Sequence, residues 1–197
     1  MKKIIFATSN EGKMKEIREI LKDIEIELLS LKDTGINVDI EENGTTFEDN
    51  AIIKAKKIME LTGEMVLADD SGIEVDYMDK APGVYSARFL GEDTSYELKN
   101  QYIIDQLAEA TGEERSARFV CVIACAFPNG EIITRRATIE GFISEQISGA
   151  NGFGYDPIFY VPEFKCTTAE MQPEQKNQIS HRGKALRAMK EEILKHL

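Results

Sequence analysis

Residues 119–127 read FVCVIACAF, nine consecutive apolar side chains. Successive side chains of a strand face opposite ways, so a run that is apolar at every position needs cover on both faces. That places it at the centre of a sheet flanked by helices. Pro128-Asn129-Gly130 ends the run with turn chemistry, and Ile132 to Ile139 supplies a hairpin partner. The other segments interleave around this centre. Ile4 to Ala7 is a short apolar run stopped by Thr8-Ser9-Asn10, after which Met14, Ile17, Ile20 or Leu21, and Ile24 recur at helical spacing. Val38 to Ile40 reads as extended and Glu41-Glu42-Asn43-Gly44 as a turn. Thr45 with Glu48 reads as a capping box opening a helix to near Gly63, with Phe47, Ala51, Ala55, Ile58 and Met59 inward. Met65 to Ala68 is a short strand running into Asp69-Asp70-Ser71-Gly72, so the acids are expected at a strand end. A helix from Thr94 to Thr111, closed by Gly112, is expected to bury Leu98, Tyr102 and Leu107. Ser148 to Pro157 carries three glycines in six positions and reads as a loop before a strand from Ile158 to Val161. The last helix aligns Leu186, Met189, Ile193 and Leu194 on one face.

Strands and helices thus alternate with one clear hairpin, which predicts an α/β fold with a mixed β-sheet flanked by helices. The 197 residues contain no repeat and no Pro-, Gly- or Ser-rich linker, so residues 1–197 are expected to be a single domain. Charges interrupt every apolar run well before the roughly 20 residues of a membrane helix, and the apolar stretch after Lys2-Lys3 is too short for a signal peptide. A cytoplasmic location is expected. Three cysteines argue against a disulfide framework, and Cys121 and Cys125 share one face of the central run as buried free thiols. The net charge of −11 makes DNA or RNA a poor partner, because nucleic-acid binders present basic surfaces. A small anion remains compatible where a few cations and a metal converge.

The chemistry-bearing residues fall into three groups. At Thr8, Ser9, Asn10, Glu11, Gly12 and Lys13 a strand hands over to a helix N-terminus, whose N–H groups and dipole suit phosphate oxygens, with a lysine charge added. The same residues fit an N-cap followed by a solvated lysine. A Walker A loop is excluded, because Ala7 stands where its first glycine should be and Met14 replaces the Mg²⁺-binding Ser or Thr. Asp69 and Asp70, with Glu41 or Glu42 from the earlier turn, offer hard oxygen ligands of the kind Mg²⁺ takes when it bridges to phosphate. Ser71-Gly72 after them also fits ordinary turn chemistry. Ser180-His181-Arg182-Gly183 places donors near the start of the last helix, and Lys176, Tyr155 and Arg88 are ambiguous by themselves.

Read together, TSNEGK at Thr8 to Lys13, EENGTTFEDNA at Glu41 to Ala51, ADDSG at Ala68 to Gly72, APGVYSAR at Ala81 to Arg88, GFGYDPIF at Gly152 to Phe159 and SHRG at Ser180 to Gly183 resemble one family. It is that of the inosine/xanthosine triphosphate pyrophosphatases, also called HAM1-like or RdgB-like. The resemblance runs in order over essentially the whole chain. It implies an elongated ITPase-like fold of two lobes with a central active-site cleft, a homodimer, and Mg²⁺-dependent hydrolysis of ITP, dITP and XTP to the monophosphate and pyrophosphate, with water attacking the α-phosphorus. It further implies that Glu41 and Asp70 hold Mg²⁺, that Asp70 accepts the proton of the attacking water with Asp69 supporting it, and that Thr8 to Lys13 and Ser71 bind the nucleotide. Phe153, Gly154, Tyr155 and Asp156, with Lys176, His181 and Arg182, would read the base. A purine with a carbonyl at position 6 accepts from such donors, whereas adenine would face donor against donor.

Overall fold

A computed structural model of the chain describes residues 2–197. Its strands are β1 (Lys2–Phe6), β2 (Ile26–Ser30), β3 (Met65–Val75), β4 (Ser116–Ala126), β5 (Ile132–Ile143), β6 (Phe159–Val161) and β7 (Cys166–Thr167). Its helices are α1 (Glu11–Leu21), α2 (Leu31–Thr34), α3 (Phe47–Thr62), α4 (Tyr96–Gln106), α5 (Pro173–Ile179) and α6 (His181–His196). The strands form one sheet in the order β2-β1-β3-β4-β5-β6-β7. It is mixed as expected: β1 runs parallel to β2 and β3, while β6 runs antiparallel to β5 and β7. Phe119 to Ala126 of the FVCVIACAF run lie in β4, fourth in that order, with Phe127 just past its end, and all nine residues are buried.

The chain divides into two compact units. The first comprises the chain up to Asp70, Cys121–Ala137 and Arg182–Leu197; the second comprises Ser71–Val120 and Thr138–His181. In the first unit, α1 forms because Met14, Ile17 and Leu21 recur on one face and Asn10 caps its start, its Oδ1 accepting from Lys13 N at 3.0 Å. That face packs with Ile4, Phe6, Met65 and Leu67 of the sheet and with Leu186, Met189 and Ile193 of α6. Each such side chain, fully buried, stabilises the fold by about 1.5–3 kcal/mol. The second unit has its own core, in which Ile73, Val75, Ile103, Leu107, Phe119, Ile143 and Phe159 meet.

Six sequence expectations shift. Ile26 to Ser30 forms β2, whose IELLS pattern alternates too weakly to announce a strand, whereas Val38 to Ile40 lies outside the strands. The cap of α3 is Thr46, which accepts from Asp49 N, rather than Thr45 with Glu48. Met59 is only partly buried, and Asn50 and Lys54 turn inward on that helix instead. β3 does not stop before the acids but carries Asp69 and Asp70 in its middle, where neighbouring cations offset their poor strand propensity. α4 is shorter than expected, ends well before Gly112 and is rotated: Leu98 and Tyr102 are exposed, and Lys99, Asn100, Ile103 and Ile104 face inward. In α6, Leu194 is exposed although Leu186, Met189 and Ile193 are buried.

Candidate active site

In a strand the residues i, i+2 and i+4 share a face. Asp69 therefore lies on the side of Met65 and Leu67, facing α1 and α6, while Asp70 lies on the other side with α3. Their partners follow that division. Lys13 Nζ, one turn into α1, stands 3.1 and 2.9 Å from the two carboxylate oxygens of Asp69, and Arg182 Nη2, in the first turn of α6, is 3.6 Å away. Arg182 also pairs through Nη1 with Glu16 of α1. Asp70 instead accepts from Asn50 Nδ2 at 3.3 Å and lies 3.9 Å from Lys54 Nζ, which is itself 3.2 Å from Glu42. All eight residues belong to the first unit.

The two acids differ in basicity for physical reasons. Burial alone would raise the pKa of Asp69, which is 1% exposed, but the charges of Lys13, Arg182 and Lys54 outweigh burial and hold it well below the usual carboxylate range. Asp70 is pushed up to about 6, first by burial and then by the charges of Glu42 and Asp69, with Lys54 and Lys13 opposing. Asp69 is thus a fixed anion, and Asp70 is a carboxylate that takes up a proton near neutral pH. Lys54 stays charged, since the surrounding acids more than offset its burial.

Among the described residues no group of three His, Cys, Asp or Glu side chains forms a protein-only metal cage. Mg²⁺ does not need one, because it is commonly held by one or two carboxylates together with substrate phosphates. Asp70 and Glu42 are carboxylates of that kind, bridged by Lys54. Glu41 is exposed, and its neighbour Glu42 is the acid whose charge bears on Asp70.

The corner before α1 is open to solvent at Ser9, Asn10 and Glu11, with Thr8, Gly12 and Lys13 partly exposed. Asn10 is the N-cap, as one sequence reading had it, whereas Lys13 is tied to a buried acid rather than solvated. Lys54 and Asn50 are the site residues that the sequence reading missed. A signal was present: Lys54 is three residues after Ala51 and four before Ile58, so it falls on the buried stripe of α3.

The remaining candidates lie in the second unit. Ser71 is partly exposed in β3. In the loop before β6, Asp156 is buried and its oxygens are taken: Oδ2 accepts from Phe153 N at 2.9 Å and Lys176 Nζ at 2.7 Å, and Oδ1 from Thr168 Oγ1 at 2.7 Å. Lys176 lies 5.1 Å from the centroid of Phe153, whose ring remains partly exposed. Tyr155 is buried and donates its hydroxyl to Ser86 O at 2.6 Å, which leaves Phe153 as the more exposed ring of the loop. His181 is buried against Phe119, with stacked rings 4.7 Å apart. Arg182 lies among the acids of the first unit.

Gly152 has φ +72°, and a Cβ built on it would lie 2.1 Å from Asp156 Oδ2. Gly152→Ala is therefore expected to cost about 1–3 kcal/mol from the strained backbone, a loss that thermal melting checks.

The Ham1 family model matches residues 4–192. The chain is 47% identical over 199 residues to a dITP/XTP pyrophosphatase of Clostridium perfringens, covering 98% of each chain. It is 50% identical over 185 residues to the Desulforamulus reducens dITP/XTP pyrophosphatase, covering 94% of this chain and 92% of that one. Among solved structures, a HAM1 protein from Coxiella burnetii superposes with TM-score 0.90 at 41% identity, over 99% of this chain and all of its own. The Staphylococcus aureus Ham1 protein superposes with TM-score 0.89 at 38% identity over 100% of both.

Proposed function

This chain belongs to the Ham1 family and hydrolyses non-canonical purine nucleoside triphosphates; from that premise we propose that ITP, dITP and XTP are cut to the monophosphate and pyrophosphate with Asp70 as general base. The observation that carries the assignment is the contrast between adjacent acids: Asp69 is held ionised, while Asp70 is poised near neutral pH. Lys13, Thr8, Ser9, Asn10, Glu11 and Gly12 receive the triphosphate at the start of α1. Asp69 orients Lys13 through two short contacts, so its contribution is to place a cation rather than to touch water.

Asp70 and Glu41, with its neighbour Glu42, would hold Mg²⁺. When bound, that ion polarises the phosphoryl oxygens and neutralises the leaving pyrophosphate. Lys54 keeps the carboxylates of Asp70 and Glu42 apart and partly compensated. In the second unit the exposed face of Phe153 takes the purine, and Gly154, Tyr155, Asp156, Lys176 and His181 shape that surface.

The chain acts as one domain across 1–197, supported by the passage of β3, β4 and β5 from one unit to the other. It works in the cytoplasm as a homodimer. Free Cys121, Cys125 and Cys166 fit a reducing compartment, and among the described residues no helix is long and apolar enough to cross a membrane. Exposed Tyr77, Tyr85, Leu90, Leu98 and Tyr102 of the second unit offer apolar surface to a second copy.

The deciding experiment incubates the protein with ITP, XTP, dITP, GTP or ATP, with Mg²⁺ or EDTA, and identifies the products. IMP and pyrophosphate from ITP, a strong preference over ATP and silence in EDTA are expected. Release of orthophosphate, or equal rates on ATP and ITP, would remove the assignment.

A further inference from the structure

The second unit buries two polar side chains where a helix normally places apolar ones. α4 turns Lys99 and Asn100 inward, 1% and 2% exposed, while Leu98 beside them is 63% exposed. Burying an ammonium or an amide weakens a fold unless specific bonds compensate. Lys99 Nζ donates to Ala87 O at 2.7 Å and lies 4.8 Å over the Tyr96 ring. Asn100 Nδ2 donates to Gly154 O at 3.1 Å. Because that carbonyl can only accept, the amide orientation is fixed. Among the described residues the Asn100 Oδ1 is then left buried without a hydrogen-bond partner. A leucine would fill the same space without an orphaned oxygen, so the amide serves the one bond it makes to Gly154.

The next residue completes a frame. Tyr155 stands edge-on to Tyr96, with centroids 5.2 Å apart, and donates to Ser86 O. Ser86 is itself pinned to β3: its Oγ accepts from Ile73 N at 2.9 Å and donates to Gly83 O at 2.6 Å. Three donors thus tie the carbonyls of Ser86, Ala87 and Gly154 into one rigid assembly referred to the sheet. A cavity of about 240 Å³, lined by Tyr96, Asn100, Gly152, Phe153 and Gly154 among others, lies against the loop. An unbraced loop would have room to shift into it.

We propose that Lys99, Asn100 and Tyr155 are positioning residues that lock the Phe153-Gly154 segment in the geometry needed to recognise a 6-oxopurine. The inference rests on the reading that this loop takes the base. None of the three touches the reacting atoms, so their loss weakens ground and transition states together and appears in KM rather than kcat. A loop displaced by about 1 Å also discriminates less well.

The test measures kcat and KM for ITP and ATP in the wild type, Tyr155→Phe, Asn100→Leu and Lys99→Met, each with its melting midpoint. For the folded variants, KM for ITP is expected to rise about tenfold, the loss of one buried hydrogen bond, with kcat within about twofold and a reduced ITP-over-ATP ratio of kcat/KM. Tyr155→Phe, which removes a single oxygen, carries the test should the other two fail to fold. Unchanged KM and selectivity in that variant overturn the inference, as does a loss confined to kcat in proportion to the unfolded fraction. Wild-type protein that fails to make IMP and pyrophosphate from ITP overturns the reading of the loop, and the inference with it. Normal wild-type turnover with unaffected variants overturns the inference alone.

Discussion

Replacing Asp70 with asparagine is expected to lower kcat for ITP by about 10²–10⁴, the range that a positioned general base supplies, and to make the metal-free protein more stable. The second effect follows from linkage. The carboxyl of Asp70 rises from 3.8 to about 6 on folding. An acid with a raised folded-state pKa contributes its full stability below the unfolded value and loses it as pH climbs through the folded value. Above about pH 6 the ionised group therefore costs about 3 kcal/mol, at 1.36 kcal/mol per pK unit. The amide removes that cost, so Asp70→Asn in EDTA at pH 8 should melt about 5 °C or more above the wild type, with the gap closing towards pH 4. Nucleotide binding should persist, since Lys13 and the corner are untouched. Undiminished turnover would take Asp70 out of the mechanism, and equal melting at both pH values would remove the stored electrostatic cost.

Arg182→Ala is the second variant with a large expected effect, and here stability is the main readout. Arg182 is buried between Glu16 and Asp69, so its loss leaves buried anions with less compensation. Breaking such a pair costs about 3–5 kcal/mol, or a melting midpoint lowered by about 10 °C in a chain of this size. Glu16→Gln added to Arg182→Met should recover part of the loss, because an uncharged pair has no charge to desolvate. If Arg182→Ala melts like the wild type while its preference for ITP over ATP collapses, the guanidinium reads the base and its pairing with the acids is secondary.

The sequence showed most clearly what depends on periodicity. The FVCVIACAF run, the spacing of Met14, Ile17 and Leu21, and the chain reversal at Pro128-Asn129-Gly130 each specify an element by local pattern, and each formed where expected. What escaped was set by partners distant in sequence. Nothing near Asp69 announces that Lys13 and Arg182 will neutralise it, so the strand was expected to end where it continues. Leu98 and Tyr102 of α4 were expected inward, yet Lys99 and Asn100 take that face, because the carbonyls that compensate them lie in other loops. The polar atoms of Asp156 and Tyr155 hydrogen-bond to partners within the protein that their motif does not announce. A motif shows that a residue matters; only the folded neighbourhood distinguishes contact from support.

The placement of two acids on opposite sides of one strand also sets how β3 tolerates change in length. Substitutions at Val66 or Ala68 would perturb packing locally. Deleting one residue between Met65 and Asp69 would instead shift everything after it by one pleat. Asp70 would then arrive where Lys13 and Arg182 wait, and Ser71 would face Asn50 and Lys54. Such a variant would keep both aspartates in its sequence and still lack a base. For this segment, the loss of a single codon therefore acts on activity as a substitution of Asp70 would.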